Sequence, residues 1–485
     1  MMRKKISKIL IANRGEIALR IIRACKELEI TSVVIYPEAD AEGSWIQTAD
    51  ECYKIKGKPM EAYLDYKNII EVAKVLKCDA IHPGYGFLSE SAEFAKACQE
   101  NGLIFIGPKA EHIALFGDKI ASKNAMKEIG VPIIEGTNEP ISNIEEAGKI
   151  ASDIGFPVII KAAFGGGGRG MRIVKDEAEF KKMYEAAYNE AIKYFANGEM
   201  FVEKFIENPR HIEVQVIADK YGNVVHLGDR DCSIQRRHQK VIEIAPSPYL
   251  NQAVRKELYR ISQKAMFKLG YESVGTVEFL VDAQDNIYFI EMNTRVQVEH
   301  PVTEIITGVD IIQRMIQIAE GDPLHFLQEE IKFRGYAIEF RINAEDPHNN
   351  FMPSLGTVGK YLIPGGPGVR IDSAIYSGYT IPPYYDSMLG KLIVWALDWE
   401  GAVKKAQRAL DEYYIEGLTT NISLHREIVR DEVFKSGQFD TSYLDSKLES
   451  FSQQTKNSEE HHKKRLSFLD KLLQRGLVNT KGDFL

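Results

Sequence analysis

At 485 residues the chain is long enough for several domains, each with a core of its own. Hydrophobic residues at 44% and charged residues at 27% are ordinary globular values. The net charge of -8 argues against nucleic acid or an anionic membrane as partner, so an anionic substrate would need a local basic pocket.

The start, Arg3-Lys4-Lys5, is basic, but the run after it is broken by Lys8 and shows no cleavage site, so residues 6–12 (ISKILIA) read as a buried strand rather than a signal peptide. A glycine turn and a helix carried by Ile17, Ile21, Ile22 and Leu28 follow. Residues 32–36 (SVVIY) predict a strand, 67–76 a helix, 79–82 (DAIH) a strand ending in His82-Pro83-Gly84-Tyr85-Gly86, and 103–106 (LIFI) another before Gly107-Pro108. This alternation predicts an α/β fold opening with a doubly wound parallel sheet over 1–118, which binds ligands beyond the carboxyl ends of its strands. A helix at 119–129 ends at Gly130-Val131-Pro132 and opens a second domain over 119–330. Residues 335–445, with many Gly/Pro turns and short strands, predict a mostly antiparallel C-terminal domain, and 446–485 a charged extension in which Leu466, Leu469, Leu473 and Leu477 keep helical spacing. No stretch is long and apolar enough to span a membrane. Cys25, Cys52, Cys78, Cys98 and Cys232 form no C-x-x-C pair and read as reduced thiols of a cytoplasmic protein.

Gly165, Gly167 and Gly170 fit a dinucleotide fingerprint, but Met171-Arg172-Ile173-Val174 reads as a strand where that motif needs a helix. No Gly-Lys-Ser/Thr closes the loop as a Walker motif would. A hairpin containing Gly165, Gly166, Gly167 and Gly168 can still bring backbone N–H groups to phosphate oxygens, with Lys161 and Lys119 supplying charge.

A hairpin symmetric about Gln284/Asp285 would pair Val277 with Met292, Phe279 with Ile290 and Val281 with Tyr288 on its apolar side. It would also set Glu278 opposite Glu291, a like-charge pair that a divalent cation would relieve. A loop of odd length would put the two glutamates on different faces. Glu291, Asn293, Arg295, Gln297 and Glu299 occupy alternate positions, so an extended chain would point all five one way. There Arg295 could clamp a planar anion and Glu299 accept its proton. Arg236–Lys240 is a second basic cluster, with His238 and Lys240 as candidate ligands.

Together these segments resemble the biotin carboxylase family over roughly residues 5–445: Ala12–Ala18, His82–Glu90, Gly165–Gly170, Arg236–Lys240, Glu291–Pro301 and Arg341–Asp346, in the family's order. The resemblance implies an ATP-grasp fold for 119–330, with a mobile lid over about 133–204. It implies Lys119 and Lys161 as phosphate lysines, Glu203, Lys204 and Ile206 as the adenine hinge, and His211, Gln235 and His238 as nucleotide contacts. It assigns Glu278, Glu291 and Asn293 to Mg²⁺ or Mn²⁺, and Arg295, Gln297, Val298 and Lys240 to bicarbonate. Glu299 would be the base, while Arg341 and Tyr85 would face biotin. The implied activity is ATP-dependent carboxylation of biotin through carboxyphosphate.

The resemblance further implies a homodimer through Arg23, Glu27 and the segment near Arg370. Biotin would be supplied by a carrier protein or a biotinylated carboxyltransferase subunit, because Ala125-Met126-Lys127-Glu128 imitates a biotinyl motif but sits within a helical pattern. A nucleotide-dependent oxidoreductase would share the glycine loop but not the strand after Gly170. Another ATP-grasp ligase would share the lysines and glutamates but would have no use for Arg341 and Arg236–Lys240.

Overall fold

The computed structural model describes residues 5–137, 139–162, 171–195 and 198–455. Strands β1 (Lys8–Ile11), β2 (Thr31–Tyr36), β3 (Glu51–Lys54), β4 (Ala80–His82) and β5 (Ile104–Phe105) form a parallel sheet in the order β3-β2-β1-β4-β5. The winding reverses at β1, and a crevice opens there beyond the carboxyl ends of β1 and β4. Asn13 closes it, its Nδ2 donating to the carbonyls of Pro83 and Tyr85, both at 2.7 Å. Gly84, at φ +63°, lies so near that a Cβ would stand 2.8 Å from Asn13 Nδ2. Helix α1 (Gly15–Glu27) buries Ile17, Ile21 and Ile22 as its spacing predicts. Strand β3 has no counterpart in the sequence reading, since all four of its residues are exposed on the sheet edge and carry no apolar pattern.

Helix α2 (Lys119–Ile129) is capped by Asp118, whose side chain accepts from the backbone of Ile120 and Ala121, and ends at left-handed Gly130. It contains Ala125–Glu128, with Met126 fully buried. Strands β6 (Val158–Ala162), β7 (Met171–Val174) and β8 (Met200–Lys204) make a separate antiparallel sheet in the order β7-β6-β8. Helices α3 (Ile144–Ile154) and α4 (Glu177–Phe195) cover it through Ala147, Ala151, Phe180 and Tyr184. The glycine loop Gly165–Gly170 lies outside the described residues.

The remaining core is built on one eight-stranded sheet. It comprises β9 (Arg210–Ala218), β10 (Val224–Arg236), β11 (Gln239–Ala245), β12 (Ser273–Val281), β13 (Ile287–Asn293), β14 (Tyr336–Asn343), β15 (Val369–Ser373) and β16 (Met388–Ala396), in the order β13-β12-β9-β10-β11-β14-β16-β15. Because β11 pairs with β14, the segment after residue 335 continues the sheet begun before 330. Helix α5 (Gln252–Leu269) packs on β9 and β10, and α6 (His300–Thr307) on β10, β11, β14 and β16. Residues 443–455 are helical past position 446, because Phe451, only 3% exposed, packs into the C-terminal core. Leu466, Leu469, Leu473 and Leu477 lie outside the described residues. All five cysteines are free, and no helix among the described residues is long and apolar enough to cross a membrane.

Candidate active site

The β12–β13 hairpin brings its two glutamates together by a route the symmetric register misses. Residues 282–286 form a loop of odd length, which alone would turn Glu291 to the apolar face. A bulge between Phe289 and Glu291 supplies one extra residue and restores Glu278 opposite Glu291. The core partner of Phe279 is therefore Phe289, which is 0% exposed, and not Ile290; Val281 faces Ile287, not Tyr288.

Glu278 is held from several sides. Its Oε1 accepts from Gln297 Nε2 (2.7 Å), Asn293 Nδ2 (2.8 Å) and Lys240 Nζ (3.1 Å). Its Oε2 lies 2.6 Å from His211 Nε2, and Gln235 donates to His211 Nδ1 at 2.7 Å, which leaves the His211 proton on Nε2 for Glu278. Burial would raise the Glu278 carboxyl, but Lys240 and His211 hold it well below its ordinary value. Glu291 faces a cavity instead, and its carboxyl is raised by its protein surroundings and by the Glu278 charge. Two opposed carboxylates and the Asn293 Oδ1 are hard oxygen donors suited to Mg²⁺ or Mn²⁺. Asn293 Oδ1 at present accepts from Arg295 at 2.8 Å.

Strand β13 stops at Asn293, so residues 294–299 are not the extended run that their alternation predicts. Val296 is buried and α6 begins at His300-Pro301, which turns the chain. The polar side chains nonetheless converge. Gln297 bridges Glu278 and Arg230, the latter donating to Gln297 Oε1 at 2.5 Å. Glu299 lies 2.6 Å from Lys240 and 3.1 Å from Arg341, whose Nε is 2.5 Å from Glu243. Burial would raise the Glu299 carboxyl, but Lys240, Arg341 and Arg230 keep it well below the usual range. Arg295 pairs with Glu90 at 3.0 Å, and the Val298 carbonyl accepts from Lys391 at 2.8 Å.

A cavity of about 160 Å³ beside this cluster is lined by Lys119, Lys123, Lys161, Glu203 and Glu291. Lys123 and Lys161 both pair with Glu203 and, against the effect of burial, bring its carboxyl down to about 2. Lys204 and Ile206 do not line this cavity; the Lys204 ammonium donates to the carbonyls of Gly155 and Phe156. His238 is exposed at the β10–β11 tip with φ +64°. Tyr85, bonded to Glu16, lines a larger cavity of about 350 Å³ with Arg14, Tyr385 and Asp386.

Sequence reasoning missed the layer beneath. Arg230, 0% exposed, donates to Glu213, Gln215, Thr276, Thr303 and Gln297. Glu213 also accepts from Lys240 at 2.6 Å. The available signal was a carboxylate set between two apolar neighbours, Glu213 between Ile212 and Val214 and Glu243 between Ile242 and Ile244.

Three family models match in succession: the biotin carboxylase N-terminal domain over residues 5–113, the ATP-binding domain of the carbamoyl-phosphate synthase L chain over 118–327, and the biotin carboxylase C-terminal domain over 339–446. The 2-oxoglutarate carboxylase small subunit of Hydrogenobacter thermophilus is 53% identical over 90% of this chain and 93% of its own length. Biotin carboxylase 1 of Bacillus subtilis is 50% identical over 91% of this chain and 98% of its own. A crystal structure of the biotin carboxylase domain dimer of the Hydrogenobacter thermophilus 2-oxoglutarate carboxylase, in complex with MgADP, ADP and bicarbonate, superposes with a TM-score of 0.87 at 52% identity, covering 92% of this chain and 98% of that one.

Proposed function

The chain belongs to the biotin carboxylase family, and from that premise we propose how its residues divide the work of ATP-dependent biotin carboxylation. Lys119 and Lys161 hold the nucleotide phosphates, Lys161 exchanging Glu203 for them while Lys123 keeps the glutamate neutralised. Gly165, Gly166, Gly167 and Gly168 serve the phosphates as well, with Glu203, Lys204 and Ile206 at the adenine hinge and His211, Gln235 and His238 as further nucleotide contacts. Glu278, Glu291 and Asn293 would hold Mg²⁺ or Mn²⁺, which when bound supplies positive charge at the transferring phosphoryl group.

Arg295, Gln297, Val298 and Lys240 hold bicarbonate beside Glu299. Bicarbonate is a poor electrophile. Glu299 takes its proton while the bicarbonate oxygen attacks the γ-phosphorus, giving carboxyphosphate and ADP. Between two cations Glu299 is a weak base; once Lys240 or Arg341 turns toward substrate, the carboxylate loses a stabilising partner and its proton affinity rises. Carboxyphosphate breaks into CO₂ and phosphate. The phosphate removes the ureido N–H proton, and the freed nitrogen attacks CO₂. Negative charge on the ureido oxygen falls to Arg341, a cation at any working pH, with Tyr85 beside biotin.

Biotin arrives on a separate carrier or biotinylated transferase subunit, and that partner sets the final acceptor. The chain pairs as a homodimer through Arg23, Glu27 and the Arg370 segment, and its free thiols suit the cytoplasm.

The observation that carries this reading is the placement of Glu299 within 2.6 Å of Lys240 and 3.1 Å of Arg341. ADP release with Mg²⁺ should require bicarbonate and rise on adding free biotin. Equal rates with and without either would overturn it.

A further inference from the structure

A second charged layer lies under Arg341. Glu243 on β11 and Glu339 on β14 are Cα partners, and both are 0% exposed. Directly opposed residues of an antiparallel pair share a face, with Cβ atoms about 4.5–5.5 Å apart. Helix α6 covers that face with Val302 and Ile306, beside Ile393 of β16. One Glu243 oxygen accepts from Arg341 Nε at 2.5 Å; the other, and both oxygens of Glu339, have no hydrogen-bond partner among the described residues.

The charged groups facing the pair are already committed. Arg341 of β14 is shared between Glu243 and Glu299. Lys391 of β16 is held by the Val298 carbonyl (2.8 Å) and by Glu16 of α1 (3.1 Å). Lys240 of β11 serves Glu213, Glu278 and Glu299. His300, at the start of α6, is kept neutral by burial. Two carboxylates on one buried face, with one cation reaching only one of them, cannot both stay ionised. One proton relieves the charge: a protonated Glu339 can donate to the idle Glu243 oxygen, which removes one of the two charges and gives that oxygen a partner.

We propose that Glu339 is a positioning residue for the carboxylation step: it carries the proton of a buried acid pair, donates it to Glu243, and keeps Glu243 a single anion aimed at Arg341. Anchored through Nε, Arg341 can then swing its NH2 edge from Glu299 to the ureido oxygen. Burial pushes the Glu339 carboxyl well above its ordinary value, despite Lys391, and pushes Glu243 up to about 7. The inference rests on the reading of Arg341 as the partner of that oxygen.

Glu339→Gln decides the matter, because glutamine is always neutral and still a donor. It is compared with wild type and Glu339→Ala from about pH 6 to 9 for bicarbonate-dependent ADP release with and without free biotin. Glu339→Gln should keep biotin-stimulated turnover near pH 7 within about twofold and lose the alkaline decline of kcat/KM for biotin. Glu339→Ala should raise the KM for biotin at least about tenfold while biotin-free cleavage changes less than about threefold.

A second readout is independent of catalysis. As pH rises past the ordinary glutamate value of 4.5, the unfolded chain loses the Glu339 proton while the folded chain keeps it, so wild type loses stability with rising pH until the folded group titrates. The Tm of Glu339→Gln relative to wild type should therefore climb from about pH 5 to 8. A Glu339→Gln chain that fails to fold, or that keeps the wild-type pH profile with a flat Tm difference, overturns the proposal. Wild type without bicarbonate-dependent cleavage overturns the functional reading instead, and the Tm comparison still decides the acid pair.

Discussion

Arg341 is pulled two ways, its Nε by Glu243 and its NH2 by Glu299, and the half-buried side chain lines a small cavity together with Lys240 and Asn343. If it serves the ureido oxygen, Arg341→Ala should lower biotin carboxylation about 10²–10³-fold, as expected for one lost oxyanion partner. Biotin-free, bicarbonate-dependent ADP release should fall far less. The two rates measured on the same preparation check this, and an equal fall would move Arg341 to the ATP half-reaction. At this scale the sequence spoke for residues that repeat or cluster. Glu278, Glu291, Arg295 and Glu299 could be singled out by alternation alone, whereas Arg230 and Glu213 could not. A charge buried in a strand takes its meaning from neighbours on other strands, and Arg230 meets Gln215, Thr276 and Thr303 only once β9, β10, β12 and α6 are assembled.

Lys119 depends on the helix it begins. Asp118 is the cap of α2, and its removal leaves the Ile120 and Ala121 amides without their acceptor. Asp118→Ala should cost about 1 kcal/mol and fray the turn that sets Lys119 in the wall of its cavity. Thermal melting should show a small loss of stability, and nucleotide titration a raised KM for ATP with kcat little changed. The β12–β13 hairpin shows why elements were legible and their registers less so. Apolar alternation located both strands, but an odd loop and a compensating bulge at Ile290 cancel each other, so the glutamate pairing came out right while two of the apolar pairs did not. Strand β3 was missed for the opposite reason: it joins the sheet by backbone pairing with β2 and buries none of its side chains.

The eight-stranded sheet runs through both the segment before residue 330 and the segment after 335. Composition marks a change of texture there, but backbone pairing between β11 and β14 cannot be read from either stretch alone. A chain ending at residue 335 should expose β11 as an unpaired edge and aggregate on size-exclusion chromatography. The C-terminal helix sets a similar limit. Truncation after Thr455 should leave free-biotin turnover intact, whereas truncation after Leu444 removes Phe451 from the core and should lower Tm.

The same pairing has a consequence on the ribosome. Strand β11 is made well before β14, and every residue from Pro246 to Gly335 must be translated before its partner emerges. At roughly 5–20 residues per second the open edge of the nascent sheet waits for several seconds. During that interval helix α5 and strands β12 and β13 can complete the other side of the sheet, but nothing yet made in the chain takes the place of β14. Co-translational folding of this protein therefore passes through a half-sheet whose exposed rim is Gln239–Ala245, the segment that also carries Lys240, and a chaperone that shields extended backbone would act there first.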